Sequence, residues 1–194
     1  MEIREPVLLY GKKNFTIEEY LQIQKEGGEK YEFYRGEIFS MAGASVKHNI
    51  ISVNIIAELR SKLKNSPCRP YGSDMRIHIP ENTLYTYPDI SVICNNISTL
   101  NPDDDTAVRP TVIFEILSET GRDYDRGGKF KLYRDIPTLK EYIIVDSLNV
   151  SVELNAITQE GWRLNEINKL SDSFIIPSLK ITVSLKDIYS DTNL

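Results

Sequence analysis

The chain has 194 residues, 41% of them hydrophobic and 26% charged, with a net charge of −5. This length predicts one domain, 1–194, with a sizeable core, and the composition is that of an ordinary soluble globular protein. No run of 18 apolar residues is present, so a membrane span is not expected, and the acidic balance argues against a broad basic nucleic-acid-binding face without excluding a local one.

Residues 1–14 read as a poorly structured lead-in, and residues 1–6 lack the charged-then-apolar pattern of a leader. Thr16 followed by Glu19 is a capping-box pattern for a helix over about 16–26, closed by Gly27-Gly28. Tyr31-Glu32-Phe33-Tyr34, Arg35-Gly36 and Glu37-Ile38-Phe39-Ser40-Met41 predict a tight hairpin. Ser45 opens a second helix, about 46–64, whose apolar residues cover a wide arc and predict extensive packing on a sheet. Residues 70–79 end in an alternation that predicts a half-buried strand, with Asp74, Arg76 and His78 opposite Met75, Ile77 and Ile79. A turn at 80–86 leads to the run Tyr87-Pro88-Asp89-Ile90-Ser91-Val92-Ile93. A surface loop, 95–109, carries Asp103-Asp104-Asp105. Strand 110–118 holds Glu115, and a helix follows over about 123–135, stopped by Pro137. Residues 141–146 form a buried strand, 150–157 and 162–167 a hairpin, and the tail a strand near 180–183 and a short helix, 184–189. Cys68 and Cys94 sit singly inside strand-like runs and are read as neither a metal pair nor a disulfide framework, so a reducing cytoplasm is the expected compartment. The element order predicts an α/β (α+β) layered domain with a mixed sheet.

Asp89 and Glu115 are single carboxylates inside apolar strands, and a buried carboxylate is costly unless something binds it. Two on neighbouring strands suggest a cation, and oxygen-only ligands suit Mg²⁺ or Mn²⁺. Structural acids with local partners are the other reading. On the helix after Glu115, at 100° per residue, Leu132, Ile136, Tyr133 and Phe130 flank Lys129 at about −60°, −20°, +40° and +100°, whereas Lys131 lies about 200° away. Lys129 is therefore centred on the apolar stripe, either snorkelling or paired with carboxylates. Two histidines without HExxH spacing make a zinc hydrolase a poor fit.

Pro88-Asp89 followed by Glu115-Ile116-Leu117 resembles the PD-(D/E)XK nuclease superfamily. More narrowly, the chain resembles the Uma-two family of restriction-endonuclease-like proteins. That resemblance runs from Thr16-Ile17-Glu18-Glu19-Tyr20 through the 31–38 hairpin, His48, Gly72-Ser73-Asp74, Pro88-Asp89, Glu115-Ile116-Leu117-Ser118, Asp125-Arg126-Gly127-Gly128-Lys129 and Tyr133 to Glu141-Tyr142-Ile143-Ile144-Val145-Asp146. It implies a restriction-endonuclease-like mixed central sheet flanked by helices, and Mg²⁺- or Mn²⁺-dependent hydrolysis of DNA. The implied metal ligands are Asp89 and Glu115, with Glu37 matching a further acid of the first motif. Leu117 stands where the superfamily pattern has a lysine, so the resemblance assigns that role to Lys129 on the following helix. His48, Asp74 and Tyr133 are accessory candidates. A homodimer suits cleavage of two strands. The alternative is a catalytically silent nucleic-acid-binding or assembly module with the same fold.

Overall fold

The structure, a computed structural model, describes residues 14–41, 43–99, 105–118, 122 and 124–194. The lead-in at 1–13 and the acids Asp103 and Asp104 lie outside the described residues. The helices are α1 (Ile17–Glu26), α2 (Val46–Lys62), α3 (Phe130–Tyr133) and α4 (Leu185–Ile188). The strands are β1 (Tyr31–Tyr34), β2 (Glu37–Ser40), β3 (Cys68–Gly72), β4 (Arg76–Ile79), β5 (Leu84–Thr86), β6 (Ile90–Cys94), β7 (Thr106–Ala107), β8 (Val112–Leu117), β9 (Glu141–Asp146), β10 (Val152–Thr158), β11 (Gly161–Ile167), β12 (Ser173–Ile176) and β13 (Ile181–Ser184).

Local signals account for several of these. Thr16 caps α1 through the Glu19 amide, and Glu19 returns the bond to the Thr16 amide. Arg35 (φ 50°) and Gly36 (φ 85°) make the two-residue β1–β2 turn, the conformation whose twist matches the strands it joins. Ser45 caps α2 at the His48 amide. Ile51, Ile55 and Leu59 form the buried stripe of α2, but Val46 and Val53 are exposed, so the helix packs on a narrower face than its composition implies.

The expected mixed central sheet flanked by helices is present, and a second large sheet packs on it. A mixed six-stranded sheet has the order β11-β10-β9-β8-β6-β3, and a five-stranded sheet the order β2-β1-β5-β4-β7. α2, α4 and the β12–β13 ribbon cover one face of the larger sheet through Phe114, Ile116, Ile143 and Val145. Its other face, with Ile93, Ile113, Leu117 and Ile144, meets Ile77, Ile79 and Leu84 of the smaller sheet. Tyr20 of α1 packs on that sheet's outer side against Phe33 and Tyr85. The alternation that places Ile113 and Leu117 between the sheets places Glu115 there too.

Other elements differ from expectation. The segment 70–79 divides into β3 and β4 with a turn between them, and β4 is buried on both faces because it lies inside a sheet packed on both sides. The turn at 80–86 contains β5. The helix over 123–135 begins as a π-helical turn, Tyr124–Lys129, before the α-helical α3. Gly127-Gly128 weakens the α-helical preference there, and a Cβ at Gly128 would lie 2.9 Å from the Tyr124 ring. Cys68 and Cys94 are not single: they oppose each other across β3 and β6 and form a disulfide. Neither strand's own pattern discloses that pairing, which depends on the β3–β6 register. The disulfide removes the ground on which a reducing compartment was expected, and closing a loop of this length contributes roughly 3 kcal/mol. Among the described residues, no helix is long and apolar enough to cross a membrane.

Candidate active site

Asp89 immediately precedes β6, whose register with β8 pairs Ile90 with Phe114. Continued by one residue, that antiparallel register sets Asp89 opposite Glu115. The chain reinforces this placement: the Ile116 amide donates to Asp89 Oδ2 at 2.7 Å. His48, at the N-terminal end of the inward stripe of α2, reaches the same oxygen through Nε2 at 3.1 Å. Burial disfavours the charged imidazole, but the hydrogen bond and charge of Asp89 outweigh it, and the His48 pKa is raised.

Glu115 is 3% exposed. Its Oε1 lies 2.8 Å from Lys129 Nζ and accepts from the Tyr133 hydroxyl at 2.8 Å. Lys129 also lies 3.2 Å from Glu32 and 4.0 Å from Asp125. Glu32 comes from the facing sheet, where Thr86 donates to it at 2.7 Å from the opposed position of β5. One ammonium thus joins three acids from two sheets and a helical turn. Burial raises the Glu115 pKa, as do the charges of Asp89 and Asp125, while Lys129 works against them. For Lys129, burial lowers the pKa, but Glu115, Glu32 and the other surrounding charges more than reverse this, so the amine stays protonated.

A cavity of about 70 Å³ touches Asp89, Glu115, Asp125, Lys129 and His48, room for roughly two waters. Met41, Gly43, Ala44, His48 and Asp89 also line a larger cleft of about 520 Å³. The two opposed carboxylates are hard oxygen donors, the residue type that could hold a small divalent cation. Among the described residues, no group of three or more His, Cys, Asp or Glu side chains has a metal-binding arrangement. An ion held by Asp89 and Glu115 would therefore keep positions for water and phosphate oxygens, the usual manner of Mg²⁺.

Asp89, Glu115, Lys129, His48 and Tyr133 come together here. Two expected residues do not. Glu37 is exposed on β2, at the hairpin-end pair with Tyr34, and the acid that this hairpin sends into the cluster is Glu32. Asp74 is exposed in the β3–β4 turn and pairs with Lys30. Sequence reasoning passed over Glu32 although it carries the signal used for Asp89, a lone acid in an apolar strand. Asp125 had a signal as well, lying four residues before Lys129.

A family model described as "Uma2: Putative restriction endonuclease" matches residues 17–186. Two Synechocystis sp. proteins are similar. Uncharacterized protein slr1290 is 34% identical over 89% of this chain and 90% of its own length. Uncharacterized protein sll1609 is 35% identical over 80% and 88%. A crystal structure of "a putative nuclease belonging to DUF820" from Anabaena variabilis superposes with a TM-score of 0.73, covering 91% of this chain and 98% of that one at 18% identity.

Proposed function

The chain belongs to the Uma2 family of restriction-endonuclease-like proteins, and from that membership we propose that it is a Mg²⁺- or Mn²⁺-dependent endonuclease hydrolysing DNA phosphodiester bonds. The observation that carries this reading is the charged Lys129, held at 2.8 Å from Glu115 and thereby beside the opposed Asp89–Glu115 pair.

Asp89 and Glu115 would hold the cation, which supplies charge for a phosphoryl oxygen and acidifies a bound water. The protein's own groups prepare the place. His48 and the Ile116 amide hold Asp89 in one orientation. Tyr133 and Lys129 hold Glu115. Lys129 keeps its proton and places a fixed positive charge beside the phosphate position, a form of preorganised stabilisation commonly worth about a hundredfold in rate.

The silent-module reading is favoured by one observation: Lys129 is 3% exposed and already engaged with acids, beside a cavity smaller than a nucleotide. Plasmid DNA incubated with Mg²⁺, Mn²⁺ or a chelator separates the two. Cleavage is expected with metal, abolished by chelation, and reduced at least about a hundredfold in Asp89→Asn and Glu115→Gln. Cleavage unchanged in either variant contradicts the assignment, and salt-dependent binding without any cleavage supports the silent module.

A further inference from the structure

Helix α3 turns Tyr133 toward the cluster and Lys131 and Arg134 toward solvent. On that outer side lies a groove of about 530 Å³, walled by Tyr34, Arg35, Lys131, Arg134, Asp135 and Trp162. Three cations thus face one carboxylate on a chain whose net charge is −5. Asp135 is itself occupied by the Asn82 side-chain amide at 2.8 Å.

The cations are arranged as well as clustered. The Arg35 guanidinium lies 5.1 Å from the Tyr34 ring centroid, and that of Arg134 lies 5.4 Å from the Phe130 ring. Phe130 is fixed in turn, stacked on Tyr142 at 4.9 Å and met edge-on by Trp162 at 5.2 Å. A guanidinium resting on a ring has restricted motion and keeps its N–H edges for planar acceptors, the geometry that suits phosphate oxygens. The groove is also tied to the cluster through the chain. Tyr34 shares a face of β1 with Glu32, Phe130 follows Lys129, and Arg134 follows Tyr133.

We propose that this groove binds the phosphate backbone of a nucleic-acid strand, a holding site across α3 from the cluster. The inference rests on the nucleic-acid reading above and adds the surface that retains the polymer. Charge complementarity selects the occupant: a polyanion offers each cation its own phosphate, which a single small anion does not.

Trp162 is the only tryptophan in the chain, so its fluorescence reports on the groove. The full chain is titrated in chelator, which prevents cleavage, with an oligonucleotide duplex, a mononucleotide and inorganic phosphate. Arg35→Gln/Lys131→Gln/Arg134→Gln is compared with the wild type, and Lys169→Gln serves as a charge control on an exposed loop. The expected result is a saturable Trp162 response to the duplex alone. The triple variant should weaken binding at least tenfold and lower the slope of log affinity against log salt by about 2–3, with Lys169→Gln close to wild type. Binding retained by the triple variant with wild-type affinity and slope overturns the groove while leaving the nuclease reading intact. An equal response to inorganic phosphate or mononucleotide overturns the polymer as occupant. Absence of binding to any duplex overturns the groove and the nucleic-acid reading together.

Discussion

Glu141 and Asp146, at the two ends of β9, are as buried as Glu115 on the neighbouring strand β8, with 2%, 4% and 3% exposure. They are held in a different way. Glu141 accepts from the Ser178 amide at 3.0 Å and from the Ser178 hydroxyl. Asp146 accepts from the Arg122 guanidinium, the Leu148 amide at 2.8 Å and the Asn149 amide at 3.3 Å. Both acids tie a loop to a strand end. Glu115 sits inside its strand, beside a second carboxylate, and its partners are the long side chains of Lys129 and Tyr133 next to a cavity. A buried acid satisfied by hydrogen bonds from a loop is a structural device. A buried acid set against another acid and balanced by a lysine is a candidate functional group, which is how Glu115 is read under the proposal above.

The largest effect should come from Lys129→Met. It retains the apolar stem but leaves Glu115 and Glu32 without their shared cation, a loss of about 3 kcal/mol or more in denaturant unfolding, together with loss of cleavage. In a Glu115→Gln background the same substitution should cost measurably less, because one of the stranded charges is gone. Equal costs in both backgrounds would break the distinction drawn between the two regions.

Asp146→Asn comes next. It removes charge-assisted bonds to Arg122 and should cost about 1–3 kcal/mol at neutral pH while leaving cleavage per folded molecule unchanged. Burial disfavours the Asp146 carboxylate, but Arg122 and the Leu148 and Asn149 donors lower its pKa overall. Its contribution is therefore present above the ordinary carboxylate pKa and lost as the pH falls through its folded value. Unfolding curves between about pH 2 and pH 7 should show that loss in the wild type and a flatter profile in Asp146→Asn.

Glu141→Gln should have the smallest effect, within about 1 kcal/mol, since the amide oxygen still accepts from Ser178. Its pH dependence has the opposite sign. Burial raises the Glu141 pKa despite the Ser178 bonds, so the stability due to its neutral form is complete below the ordinary glutamate pKa and declines as the pH rises through the folded value. The Gln variant should lack that decline.

The same comparison shows what a sequence makes legible. Asp89, Glu115 and Lys129 were visible because each breaks an apolar pattern, and α1, the β1–β2 hairpin and the β10–β11 hairpin because caps and turns are local. An α-helical wheel places Lys129 on the inward face although it ends a π-helical turn, because the stripe it shares with Leu132 and Tyr133 lies just beyond that turn, in the α-helical α3. Glu32 was hidden because its meaning depends on a second sheet crossing over the first, and no local signal announces that sheet. Glu37 was misplaced for the same reason, since the choice between two hairpin acids is made by which face of β1 or β2 meets Lys129. The Cys68–Cys94 bond likewise follows from strand register, a long-range property.

The central claim, that Asp89 and Glu115 are a cation site and not merely structural acids, is tested most directly by an anomalous difference map from a crystal of the protein soaked in Mn²⁺. The account predicts a peak within about 2.5 Å of carboxylate oxygens of both Asp89 and Glu115, absent from a crystal of Asp89→Asn treated identically. No peak between them at saturating Mn²⁺, with their side chains still joined to His48, the Ile116 amide, Lys129 and Tyr133, would contradict it.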